Sequence, residues 1–283
     1  MADSSVQPTL PFRKIFHPTD FSADSAVALA HALKLALVAR AEFAIMHVDP
    51  AVSRENFEDF PRIRPILALW GILPEGSSKE QVAALGVTIK KIRAIADNPT
   101  AAISQHLTLH PTDLVVLSTH QYEGIERLRH HAVAEPIARA AHSNTLFVPS
   151  RIEGFVGADS GRGMLRRILI PVSQAPHPQP AVDVATALAA GLGSDTVSFQ
   201  LVHAGSEEEL PKINKPQQAG WTWDQVVGQA DVVDWILAAG AGYDVDLIVM
   251  MTEGHNSILD MLRGSTTERV LRGARCPLLA IPA

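Results

Sequence analysis

The chain repeats itself. Residues 246–266, DLIVMMTEGHNSILDMLRGST, have a counterpart 133 positions earlier at residues 113–133, DLVVLSTHQYEGIERLRHHAV. The offset then holds without insertion, setting Glu135 against Glu268 and Pro149 against Pro282. At 283 residues there is room for two domains of ordinary size, and a repeat this long favours two copies of one unit over one large core. In the later copy an Ile- and Val-rich run ends in a loop, and Gly-Ser-Thr opens a helical pattern. A strand that hands its C-terminal end to a helix N-terminus is where α/β proteins hold phosphates. The two copies differ at that place.

Taken in order, residues 1–12 read as a loose tail and 14–19, KIFHPT, as a short strand stopped by Pro18. Ser22 is a good N-cap for the helix that follows, with Ala26, Leu29, Ala30, Leu33 and Leu37 as its buried stripe. Residues 41–48 form a second strand. Prolines and Gly76 break residues 49–86 into a loop, a short helical piece and a helix over 79–84. A strand over 87–95, a helix from Asn98-Pro99 to about Leu109, a strand over 113–117, a helix over 132–141 and a strand over 145–148 complete the half. Residues 151–166 carry glycines around Asp159-Ser160-Gly161 and read as a hairpin-like linker. The order then restarts, with RILIPV at 167–172, a helix over 181–192, and FQLVH repeating FAIMH.

From His47 to Asp113 is 66 residues, but from His203 to Asp246 only 43. The second half therefore has a reduced or absent second helix, with 221–227 as its third strand. Trp221, Trp223 and Trp235 are candidates to cover the face this leaves bare. Each half reads β-α-β-(α)-β-α-β-α-β, which implies a five-stranded parallel sheet flanked by helices. The units are residues 1–150 and 167–283, joined by 151–166.

A net charge of −6 with scattered basic residues argues against a nucleic-acid partner. No apolar run reaches the ~18 residues of a membrane span. Cys276 has no partner for an internal disulfide, as a reducing cytosol permits, and its setting reads as a buried strand with an inert thiol. The expected location is cytoplasmic.

The segments KIFHPTDFSADSAVALA, HSNTLFVPS, ARCPLLAIPA and above all DLIVMMTEGHNSILDMLRGSTTERVLRGARCPLLAIP resemble a tandem universal stress protein, over nearly the whole chain and in the right order. The resemblance implies two adenine-nucleotide-alpha-hydrolase-like (Rossmann-like) domains that pack as a pseudo-dimer through their last strands. The candidates are Leu146-Phe147-Val148 and Leu279-Ala280-Ile281, and two chains are expected to associate further. One continuous sheet would speak against two such units.

Members that bind ATP carry a G-x2-G-x9-G-S/T loop after the fourth strand, an Asp at the end of the first strand that reads adenine, and a residue after the second-strand His that lies beside the base. The second half keeps Gly254, Gly264, Ser265 and Thr266, but has Met251 at the first glycine, Ser173 for the Asp, and Ala204 after His203. The first half keeps Asp20 and has Val48 after His47, but carries Ser118, Gln121, His131 and Ala132 in the loop. Each half keeps part of a site, so ATP binding is expected to be weak or absent, with the second half favoured.

Three functional readings follow. The first is a binding protein that performs no turnover, since no nucleophile–base arrangement is visible. The second is an ATP switch or weak ATPase on Gly254, Gly264 and Ser265. The third is a binder of a metal or another small molecule. Nine of twelve histidines lie in the first half, yet a polar loop and a solvated helix face account for them. His47 and His203 hold equivalent strand positions, which suggests a structural role.

Overall fold

A computed structural model of the chain describes residues 10–49, 60–119, 143–252 and 266–283. The first half runs β1 (Lys14–Pro18), α1 (Ala23–Ala39), β2 (Glu42–Asp49), α2 (Ile63–Leu69), α3 (Lys79–Ala84), β3 (Thr88–Ile95), α4 (Pro99–Leu109), β4 (Leu114–Thr119) and β5 (Asn144–Pro149). The second runs β6 (Arg167–Pro171), α5 (Gln179–Gly191), β7 (Val197–Ala204), β8 (Trp221–Gly228), α6 (Val232–Gly242), β9 (Leu247–Thr252), α7 (Thr266–Gly273) and β10 (Leu278–Pro282). The expected helix over 132–141 lies outside the described residues.

Among the described residues ten strands form one sheet, in the order β3-β2-β1-β4-β5-β10-β9-β6-β7-β8. Every pairing inside a half is parallel, and the halves meet where β5 and β10 run antiparallel, with Leu146 opposite Leu279. A continuous sheet is what pairing of last strands produces, so continuity does not count against duplication as the sequence reading supposed. The copies also match in burial. β1 and β6 share one pattern along their lengths, and so do β4 and β9.

The repeated aspartates do something the sequence reading missed. Asp113 Oδ2 accepts the backbone N–H groups of Arg13 (2.7 Å) and Lys14 (2.8 Å), pinning the start of β1 from 99 and 100 residues away. Asp246 does the same for Arg166 (2.6 Å) and Arg167 (2.8 Å) at the start of β6.

α1 is buried more widely than a single stripe, with Ala26 exposed and Ala28, His31, Ala32, Leu35 and Ala36 covered. The sheet covers one side and the linker the other. Residues 151–166 form the expected hairpin, in which Met164 N–H donates to Phe155 O (2.9 Å) and Gly157 N–H to Arg162 O (3.0 Å). Phe155, Val156 and Leu165 are buried, in one cluster with α1 and α5. His31 fastens the hairpin to α1. Its Nδ1–H donates to Val27 O (2.9 Å), so Nε2 is the acceptor for Phe155 N–H (3.1 Å) and Val156 N–H (3.3 Å). Trp70 Nε1–H donates to Ala158 O (2.7 Å) from α2's C-terminal end.

Between β7 and β8 the missing helix is replaced by a 3-10 turn, Glu207–Glu209, and an extended strap. Leu210 and Ile213 of the strap pack on the cluster that holds α1 and α5. Trp221 and Trp223 lie on Phe199, with ring centroids at 5.1 and 4.3 Å, and donate to Ser194 O and Pro216 O. They cover the face as expected. Trp235 packs on the other face of the sheet, with α6 and α7, and takes no part.

Cys276 is buried, and desolvation pushes its thiol up to about 12, with Asp246 adding to the effect. It is an inert core residue.

Three outcomes test this packing. Asp113→Asn or Asp246→Asn should each cost about 1–3 kcal/mol in urea unfolding, because a charged acceptor of two N–H groups is lost. Gly154→Ala should be severely destabilising, since its φ is +75° and a Cβ would stand 2.4 Å from His31 Nε2. Desolvation lowers His17 and His31 to about 4 from 6.5. Both rings are neutral at pH 7, so their packing is uncompromised above pH 6.5. As pH falls from 6.5 toward 4 the unfolded chain gains protons that the native rings refuse, and stability drops by on the order of 2 kcal/mol per ring by pH 5. His31→Phe should make that slope shallower; an unchanged slope would remove His31 from the account.

Candidate functional site

In both halves the expected ligand position is at the C-terminal ends of the first, second and fourth strands. Because β5 and β10 are antiparallel, these two mouths open at opposite edges of the sheet.

At the first mouth, β1 ends at Pro18, and Thr19 N–H still donates to Met46 O (2.8 Å) on β2. Asp20 is exposed, and its Oδ1 accepts from Ser22 N–H (3.0 Å) and Ser22 Oγ–H (2.6 Å). Ser22 in turn caps α1 by accepting Ser25 N–H (3.1 Å). One oxygen of the acid is thus committed to the loop that carries it. Phe21 adopts φ 62°, a costly conformation for a bulky residue, and stacks on the His47 imidazole with centroids 4.1 Å apart. His47 Nδ1–H donates to Thr19 O (2.7 Å), tying the end of β2 to the end of β1. Val48 is buried beside it.

Beneath this loop lies a buried polar set. His17 Nδ1–H donates to Val116 O (2.9 Å), Ser25 Oγ stands 3.3 Å from His17 Nε2, and the same hydroxyl donates to Thr19 Oγ1 (2.9 Å). His17 and Ser25 are sealed from solvent, and the imidazole is anchored to a backbone carbonyl, so this is a strut with no access for substrate. Thr119 Oγ1, at the end of β4, is buried without a partner among the described residues.

At the second mouth, His203 Nδ1–H donates to Val172 O (2.9 Å), reproducing the bond of His47. The shared geometry gives both histidines a structural task. Ser173 is exposed, and its hydroxyl turns away to donate to Ala175 O (3.1 Å). Gln174 Nε2–H donates to Glu209 O (3.0 Å). The Glu209 carboxylate accepts Ser206 N–H (2.9 Å) and Ser206 Oγ–H (3.0 Å). Those bonds, with the nearby His203, hold it below the usual carboxylate range. Its Oε2 and His203 Nε2 flank Gly205, where an added Cβ would lie 2.8 and 2.6 Å from them. Glu209 therefore stands next to the neighbours of both Ser173 and Ala204. Further along the strap, Gln179 and Asn214 bond reciprocally, at 3.1 and 2.8 Å.

Ala204 and Met251 are half-buried at the ends of β7 and β9, and Thr266 is exposed at the first position of α7. The structure places Ser173 just after β6 and Ala204 at the end of the adjacent β7. Gly254, Gly264 and Ser265 lie outside the described residues, as do Gln121, His131 and Ala132 of the first-half loop. The sequence reading missed Phe21, Gln174 and Glu209. Only the last had a signal, since Ser206-Glu-Glu-Glu209 spells a capping box. No group of three or more metal-binding side chains exists among the described residues. His106 and His110 do pair, with centroids 4.5 Å apart, but His106 stacks on Phe16 and burial lowers its basicity.

No helix among the described residues is long and apolar enough to cross a membrane. A search of curated proteins found no match. Solved structures share the fold across nearly the whole chain. A universal stress protein from Archaeoglobus fulgidus DSM 4304 is similar with a TM-score of 0.62 and 16% identity, covering 95% of this chain and 96% of that one. A putative universal stress protein from Pseudomonas aeruginosa UCBPP-PA14 follows with 0.59 and 13%, covering 96% and 94%. The profile described as the universal stress protein family matches residues 11–149 and again 198–282. With two such matches on a sheet that repeats its strand order, the chain belongs to the universal stress protein family.

Proposed function

We propose that this protein acts by binding a ligand or partner and not by turnover, and that adenine nucleotide is at best a weak ligand. The observation that carries this reading is Glu209. In the second half, the one with the better phosphate-loop sequence, an acidic turn of Glu207, Glu208 and Glu209 is tied to Gln174 beside the base-reading position. Three carboxylates near the mouth oppose a triphosphate. Ser173 offers no charge to an adenine edge, and its hydroxyl is committed to Ala175 O. In the first half, Asp20 is partly committed to Ser22, and Phe21 covers His47 next to Val48.

The rival reading, an ATP switch or weak ATPase, rests on Gly254, Gly264 and Ser265 with Thr266 opening α7. It would place phosphate at that helix start and leave the base loosely held. The boundaries 1–150 and 167–283, a cytoplasmic location and a homodimer remain parts of the proposal. The last strands are used within the chain, so association of two chains would employ other surfaces.

Mass spectrometry of extracts from the purified protein, with calorimetric titration of ATP, tests the reading. The expected result is no stoichiometric nucleotide and a Kd no tighter than the millimolar range. Replacing Glu207, Glu208 and Glu209 by Gln should tighten any ATP binding several-fold, and Gly264→Leu should abolish it. A stoichiometric nucleotide, lost in Gly264→Leu, would establish the rival. Uptake that persists in that variant would place the site elsewhere.

A further inference from the structure

An open groove of about 1270 Å³ lies on the outer edge of the first half between α2, α3 and the edge strand β3, and its lining residue Phe60 touches Phe21 of the first mouth, ring centroids 5.6 Å apart. Its floor is apolar. Ile63 from α2, Val82 from α3, and Val87 with Ile89 at the start of β3 line it, the first three of them buried. Leu69 adds an apolar side chain that is 62% exposed.

Its rim is basic. Among the described residues, Arg62, Arg64, Lys79 and Lys91 line the groove with one carboxylate, Glu75. This concentration stands out in a chain whose net charge is −6. Among the described residues none of the four has an ion-pair partner. Arg64 donates to Ser77 O (3.1 Å), and the Lys91 ammonium lies 5.8 Å above the Phe60 ring. Desolvation first, then the charges of Arg62, Arg64 and Lys79, hold Lys91 below the usual lysine range, so the four act on one another through space. Glu80, on the adjoining surface, feels Lys79 and Arg64 in turn.

Four cations against the two carboxylates of Glu75 and Glu80 leave the rim with an excess of positive charge, which favours something anionic settling among them. The apolar lining asks for more than a simple anion, because exposed Leu69 and half-buried Ile89 offer area that gains from burial. We infer that the groove between α2, α3 and β3 binds an anionic amphiphile, a molecule with a carboxylate or phosphate head and an apolar chain. The head sits among the rim cations and the chain lies along Ile63, Val82 and Val87. α2, α3 and β3 bound the groove, and small-molecule sites are concave. This proposal does not depend on nucleotide binding at either mouth.

Isothermal titration with dodecyl phosphate, below its micelle concentration, tests it on the full chain. One saturable site is expected, weakened at least tenfold by the double variant Arg62→Ala/Lys91→Ala, and similarly by Lys79→Glu or by Ala68→Trp, which fills the groove from α2. Rim residues Arg62, Lys79 and Lys91 are exposed, so these variants should keep the native melting temperature within a few degrees. Octyl phosphate should bind more than tenfold more weakly, because four methylenes are lost. Dodecanoate set against dodecyl phosphate shows which head group is preferred, and binding of either supports the site. Dodecyltrimethylammonium should not bind. Equal uptake of the cationic compound, unchanged binding in the variants, inorganic phosphate binding as tightly as dodecyl phosphate, or no binding at all would each overturn the inference.

Discussion

Three pairs of residues, Thr145–Phe147 against Leu278–Ala280, decide the shape of this molecule. A parallel five-stranded sheet ends in a strand whose outer edge carries unpaired backbone groups, and such an edge must be covered. Duplication supplies the cover, because each copy offers the other an identical edge. Antiparallel pairing then rotates one half by half a turn in the plane of the sheet relative to the other, which keeps equivalent faces on the same side. The helices α1 and α5 fall on one face, where they share a core with the linker, while α4, α6 and α7 fall on the other. The mouths are driven to opposite edges, so each copy was free to change its own without disturbing its twin.

The two mouths have changed in different ways. Under the first lies the His17–Ser25–Thr19 set, and the corresponding places in the second are Ile170, Val172 and Pro178. A hydrogen-bonded strut and an apolar filling support the same loop, which fits the general finding that polar sets and packed apolar groups can substitute for each other in cores. What survives in both is the Nδ1–H bond from His47 or His203 to the carbonyl at the end of the first strand. That bond belongs to the scaffold. Acid or serine, glycine or methionine can then vary around it.

Much of the fold was legible because the repeat could be read against itself. The length difference between halves foretold the missing helix, and the prolines and glycines of residues 60–86 marked out α2 and α3. Asn98-Pro99 announced α4, and both the side-chain cap and the proline are present. Long-range contacts were not legible. Nothing local says that Asp113 reaches Arg13, that His31 receives the linker, or that Trp235 faces away from Trp221. The wide burial of α1 also depended on a second layer that periodicity cannot announce. At the site, the residue types were readable from the family resemblance, but their commitments were not. Ser173 turned toward Ala175 and Glu209 beside Gln174 are facts of three-dimensional neighbourhood.

If the junction of β5 with β10 makes the halves one structure, their backbone amides should open only with the whole molecule. Hydrogen–deuterium exchange resolved to residues 145–147 and 278–280 measures this directly. Protection equal to that of the central strands β1 and β6 is the predicted result. Exchange at those residues as fast as at the outer strands β3 and β8, with β1 and β6 still protected, would show two units that merely lie side by side.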